Sequence, residues 1–200
     1  MLEFDFTFPH SYDVEQIREW PGTGSFSAPV ICFPPPKARA EHDGLWLRVR
    51  AKSDKTWIGV FAFGYTSPPA FSRVISSPNP ESVCVVSDGS AYIVNAEKPD
   101  VREQIPILPV LEIRPLPEHK LLVFSDFTGL GAYGSNGLAW RSPRVCWDEL
   151  KIAKVTSETI EGTGYDPTNS LKQEMHFAVD LKTGRSLLPS PVSIDGKPVW

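Results

Sequence analysis

The chain has no excess of positive charge: 20 lysines and arginines stand against 24 aspartates and glutamates, a formal charge of −4. That balance gives no electrostatic footprint for duplex nucleic acid or an anionic membrane surface, so neither is expected as a partner. No apolar run approaches the roughly 18 residues of a membrane-spanning helix. The opening Met1-Leu2-Glu3-Phe4-Asp5 lacks both the basic start and the apolar stretch of a signal peptide. Cysteine is scarce as well. Cys32, Cys84 and Cys146 sit among apolar neighbours and cannot all pair, so they read as reduced core residues of a cytoplasmic protein.

Motifs of chemistry are missing too. His10, His42, His119 and His176 have no histidine or cysteine partner at ligand spacing, so no metal site is expected. His176 alternates with Met175 and Phe177 and reads as a solvated strand residue. No Gly-x-Ser-x-Gly elbow occurs. Gly22-Thr-Gly24-Ser25 and Gly162-Thr-Gly164 lack the lysine and helix start of a phosphate cradle and read as turns, so no cofactor is expected. Cys146, two residues after Arg144, is the one thiol near a cation, yet its apolar flanks favour a small buried hydrophobe over a nucleophile.

What the chain does have is proline, 20 in 200 residues, about double the usual share of roughly 5%. Proline disfavours helix interiors and central strand positions, so the elements must be short and joined by many turns, which excludes a helical bundle. Hydrophobic residues at 41% and charged residues at 22% are ordinary for a globular protein. Alternation of period two dominates. Leu2, Phe4, Phe6 and Phe8 share one face of a half-buried strand, and Leu45, Leu47, Val49 and Ala51 oppose Trp46, Arg48 and Arg50. Residues 56–63 are apolar on both faces, as in a central strand. Further strands are expected at 83–87, 91–95, 107–113, 120–125, 137–141, 150–155, 158–163 and 174–180.

The pattern describes one all-β domain over residues 1–200, an antiparallel sandwich or partly open barrel. One short N-terminal helix is expected, capped by Asp13 with Gln16 three residues on and stopped by Pro21-Gly22. Residues 34–43 read as a stiff connector, and the segment from Pro189 to Trp200 as a last strand or a tail.

Turn pairs recur at nearly even intervals: Asp43-Gly44, Asp88-Gly89, Asn136-Gly137 and Thr183-Gly184. The stretches Asp88-Gly-Ser-Ala-Tyr-Ile and Asn136-Gly-Leu-Ala-Trp-Arg look alike. This rhythm resembles the blades of WD40-type and quinoprotein-type propellers over residues 83–95 and 120–141. The resemblance implies a small four-bladed repeat fold as the alternative architecture. It lacks the repeated Gly-His and Trp-Asp signatures, since Trp147-Asp148 occurs once.

The stretch 124–148 concentrates aromatic faces, arginine forks and glycine bends. Its residues Asp126, Tyr133, Asn136, Trp140, Arg141 and Trp147 are the candidate contact surface for a protein partner or a small carbohydrate-like ligand. The same aromatics serve equally as core residues of a hairpin. A second patch, Trp46, Arg48, Arg50 and Lys52, reads as a charge-protected exposed or edge strand rather than a nucleic-acid platform. The leading function is a non-catalytic binding module. The alternatives are a carbohydrate hydrolase using a carboxylate pair drawn from Asp126, Glu149, Glu161, Asp166 and Glu174, and a self-associating structural protein.

Overall fold

The structure, a computed structural model, describes residues 2–19, 25–35, 43–64, 71–167 and 175–188, with the backbone pairing of Ser193–Ile194 and Lys197–Pro198. It is all-β, and none of its sheets closes into a barrel. Backbone contacts divide the chain into two compact units, Met1–Val110 and Leu111–Trp200.

The first unit contains β1 (Glu3–Asp5), β2 (Tyr12–Gln16), β3 (Val30–Phe33), β4 (Gly44–Ala51), β5 (Thr56–Ala62), β6 (Arg73–Ser76), β7 (Ser82–Ser87), β8 (Ser90–Asn95) and β9 (Arg102–Gln104). They form two sheets, in the orders β1-β6-β7-β8-β9 and β2-β4-β5-β3. Pairing is antiparallel except where β1 lies along β6 and β3 along β5. The alternation on β4 is realised as expected: Leu45, Leu47, Val49 and Ala51 are buried, while Arg48 and Arg50 are exposed. These four residues share one core with Val83 and Val85 of β7 and Tyr92 and Val94 of β8, so the two sheets pack face to face as a sandwich. Phe33 stacks on Phe61, with ring centroids 4.7 Å apart. Two polar aromatics of this core bond to backbone carbonyls: Trp57 Nε1 donates to Ala96 O (2.8 Å) and Tyr12 Oη to Ser82 O (3.0 Å).

The expected N-terminal helix is a strand instead. Asp13 and Gln16 lie in β2, and Pro21-Gly22 lies outside the described residues. Tyr12 and Val14 point into the core, while Asp13 and Glu15 on the other face bind Arg50 (2.5 Å) and Arg48 of β4. Cross-strand pairing along five residues outweighs a capping signal, because an isolated short helix cannot repay its nucleation. The same pairing corrects the reading of β4 as an exposed or edge strand. It is central, between β2 and β5, and its arginines are held by carboxylates of its neighbour.

The first strand also departs from expectation. Phe8 is buried, but Phe4 and Phe6 are 42% and 39% exposed. β1 is only three residues long and occupies a sheet edge, so the outer phenylalanines have no opposing sheet; Phe6 stacks on His10 instead (4.6 Å).

The second unit contains β10 (Glu112–Leu116), a 3-10 turn (Pro117–His119), β11 (Leu121–Ser125), β12 (Leu130–Gly134), β13 (Gly137–Arg141), β14 (Asp148–Val155), β15 (Thr159–Tyr165), β16 (Met175–Asp180), β17 (Ser193–Ile194) and β18 (Lys197–Pro198). The strands β10 to β13 and β14 to β16 make two antiparallel meanders, and β17 pairs with β18. Val123, Leu130, Ala132 and Trp140 of the first meander share a core with Leu150, Ile152, Ile160, Phe177 and Val179 of the second. The strand expected at 107–113 begins only at Glu112, past Pro106 and Pro109, which have no N–H to donate. Pro115 is tolerated because β10 is an edge strand with β11 as its single neighbour. Gly162 and Gly164 are not turn residues: they lie inside β15, where a Cβ would stand 2.6 Å from the Phe177 ring and 2.7 Å from Cys146 Sγ.

The evenly spaced turn pairs mark three chain reversals rather than four hairpins. Asp88-Gly89, with φ of 42° and 84°, bends β7 into β8, and Gly137, with φ of 99°, follows Asn136 between β12 and β13. At the same offset beyond each turn lies a buried aromatic, Tyr92 in one core and Trp140 in the other. Asp43-Gly44 merely opens β4, while Thr183-Gly184 turns the chain back after β16, where Ser186 bridges Val179 antiparallel and the Asp180 N–H donates to Arg185 O (2.8 Å). The sheet β2-β4-β5-β3 does not have the simple meander order of a blade.

Because Leu47 is fully buried between two sheets, Leu47→Ala is expected to cost about 2–5 kcal/mol. Arg50→Ala removes a solvent-exposed, solvent-screened ion pair and is expected to cost far less. Urea unfolding of the two variants checks the contrast; equal losses would overturn the placement of β4.

Candidate functional site

The six residues singled out in 124–148 have different fates. Tyr133 and Trp140 are core residues. Trp140 pairs with Ala132 across the sheet and points with it toward the second meander, whereas Tyr133, the next residue after Ala132, lies on the opposite face and meets Phe124 edge-on (5.5 Å). The Trp140 Nε1 proton is donated to Leu181 O (2.8 Å). Asp126 is a turn-former: its Oδ1 accepts the N–H groups of Thr128 and Gly129, both at 2.8 Å. Asn136 and Arg141 are exposed at the ends of β13, and Trp147 is half-buried under the Arg144 guanidinium, 4.5 Å from the ring centroid. The hairpin therefore does not gather these side chains on one surface; alternation sends its two largest aromatics to opposite faces.

Cys146 is buried, and its thiol donates to Phe127 O (3.3 Å). Desolvation, with Asp126 and Asp148 adding to it, pushes its pKa up to about 12. Arg144 opposes the shift but spends its donors on Cys146 O (3.2 Å) and Trp147 O (3.1 Å). The thiol is protonated at neutral pH and is a poor nucleophile.

The described carboxylates named for hydrolysis have separate local roles or positions. Asp126 holds a turn, Glu161 accepts the Thr159 hydroxyl (2.7 Å), Glu149 is exposed at a positive φ of 55°, and Glu174 lies outside the described residues. Asp126, Glu149, Glu161 and Asp166 line neither of the two clefts that follow.

The larger cleft, about 660 Å³, belongs to the first unit. Its walls come from strand ends: Glu3 begins β1, Gln16 ends β2, and Gly44, Leu45 and Trp46 begin β4. Phe63 follows β5, Phe71 and Ser72 precede β6, and Asp88 turns β7 into β8. Gly44 has to be glycine here, since a Cβ would stand 2.3 Å from Phe61 O. Trp46 stacks on Phe26 (5.9 Å), and Phe63 is 44% exposed. Ser72 Oγ donates to Asp88 Oδ1 (2.9 Å) while accepting the Asp88 N–H (3.1 Å), which fixes that carboxylate at the wall. Trp46 was noted in the sequence only as part of a basic stripe. Phe63, Phe71 and Asp88 carried no site signal, because they come from two separate connections.

The smaller cleft, about 500 Å³, lies in the second unit beside Trp140 and mixes His119, Glu158, Asp180 and Lys182. Hydrogen bonds from the Thr183 hydroxyl (2.6 Å) and N–H (2.7 Å) hold the Asp180 carboxyl below its ordinary range. With Trp140 Nε1 already bonded to Leu181 O, this cleft presents ring carbon and charges of both signs.

No protein-family model matches this chain, and no curated protein matches it. Its chemistry rests on the clefts themselves.

Gly184 sits at φ +72° with an added Cβ 2.6 Å from Trp140 Cε3, so Gly184→Ala is expected to cost about 1–3 kcal/mol through backbone strain and displacement of the indole. Differential scanning calorimetry reads the loss, and a neutral outcome would contradict the Trp140 placement. The Cys146 thiol has a pKa raised from 9.0 to about 12, and Cys84, fully buried, is raised by desolvation as well. The folded chain thus holds protons that the unfolded chain releases above pH 9. Stability is expected to be full below that pH and to fall as pH rises from 9.0 toward about 12. Urea midpoints measured across this range check the direction.

Proposed function

We propose that the protein is a non-catalytic binding module whose ligand site is the aromatic cleft of the first unit. The observation that carries this reading is the exposure of Phe63, with Trp46 and Phe71 around the same 660 Å³ space and polar groups making up more than half of its exposed lining. In volume the cleft falls within the range of about 300–1,000 Å³ usual for small-molecule sites. The aromatics of 124–148 support the reading less well, since Tyr133 and Trp140 are already used in packing. Asn136, Arg141 and the Arg144–Trp147 stack remain available as a polar rim for a protein partner. Three free thiols support a reducing, cytoplasmic setting.

A thermal-unfolding screen against small molecules tests the proposal. A ligand that binds only the folded state adds about 2.7 kcal/mol at a hundredfold excess over its dissociation constant. Phe63→Ser, a substitution at a 44% exposed position, is expected to abolish the stabilisation while changing the unliganded stability by no more than about 0.5 kcal/mol. A ligand that stabilises wild type and this variant equally would bind elsewhere and sink the assignment.

A further inference from the structure

The charges at the larger cleft are of one sign. Glu3 and Asp88 line it, and no lysine, arginine or histidine does so among the described residues. Two cations adjoin lining residues in sequence: Arg73 is committed to β1, 3.3 Å from Glu3 and 3.5 Å from Asp5, and Arg18 donates from Nε to the lining Gln16 (3.2 Å). Glu3 is therefore compensated. Asp88 is not: it forms no ion pair among the described residues, and its bond to Ser72 occupies Oδ1. An orientation-fixed carboxylate beside an indole and two phenyl rings is the environment that stabilises an organic cation, through charge and through the negative faces of the rings. An anionic ligand would meet the two lining carboxylates. A neutral ligand would use the rings and leave Asp88 to water.

We infer that the cleft selects small organic cations, an ammonium group on an apolar body, with Asp88 as counter-ion and Trp46, Phe63 and Phe71 holding the body. This inference rests on the binding reading above and names its ligand class. Volume favours a free small molecule over a larger partner, since the cleft matches one compact ligand.

The test uses three probes of similar shape on the full chain: 2-phenylethylammonium, neutral 2-phenylethanol and anionic 3-phenylpropionate. Binding is read by tryptophan fluorescence and ligand-observed NMR at millimolar concentrations. The ammonium probe is expected to bind about tenfold more tightly than the alcohol, with the carboxylate weakest. Asp88→Asn keeps the acceptor for Ser72 and tolerates the φ of 42°. It is expected to bring the ammonium probe down to the affinity of the alcohol without changing the alcohol's own affinity. Phe63→Ser is expected to weaken both. If wild type binds the alcohol or the carboxylate as tightly as the ammonium, cation selectivity is overturned while the cleft stands as a binding site. If Asp88→Asn folds and keeps the full ammonium preference, Asp88 is not the counter-ion and the inference fails. If none of the three probes binds, both this inference and the binding reading fall.

Discussion

Leu47 and Val49 on β4 and Val83 and Val85 on β7 belong to one core although they lie on different sheets. The core-facing side of each sheet has only the other sheet to cover it, so neither sheet of the first unit is stable until the two pack. That mutual covering explains the rest of the unit. It forces β2 into an extended conformation, because only there do Tyr12 and Val14 face the shared core while Asp13 and Glu15 reach the arginines of β4. It leaves Phe4 and Phe6 outside, because the edge position of β1 has no opposing surface to offer them.

The cleft is a by-product of the same packing. Two twisted sheets in contact over their centres separate toward their corners. The residues that line the opening are those at strand ends and turns, from Glu3 on β1 to Asp88 between β7 and β8. A rigid double layer thus supports side chains that packing does not use, which is where binding groups belong in a β fold. In the second unit the corresponding space is partly filled by Trp140, whose ring is backed by Gly184 and whose N–H is bound by Leu181.

Much of the fold was legible from alternation. Central strands such as β4, β5, β7 and β11 announce themselves, since a side-chain period of two is a local property of the chain. The short pieces were not. β2 carried helix-capping residues, β3 and β9 carried little signal, and the prolines at 106 and 109 displaced the start of β10. Asp13 and Gln16 show why: a cap is a preference of a few residues, and a paired neighbour such as β4 overrides it. The likeness of the two Asp/Asn-Gly stretches was real at the level of a hairpin followed by a core aromatic, Tyr92 or Trp140, and did not extend to the order of strands in the β2–β5 sheet.

The candidate site was the least legible part. Composition and alternation by themselves determined an all-β chain, the inward residues of its long strands, and the burial of Cys84 and Cys146 among apolar neighbours, because each depends only on residues close in sequence. The tertiary structure alone decided which aromatics reach the larger cleft. Tyr133 and Trp140 are crowded into 124–148 and look like a surface, yet strand parity sends them to opposite buried faces. Trp46, Phe63, Phe71 and Asp88 are dispersed along the chain and meet at one cleft, because strand ends converge only when the two sheets have packed.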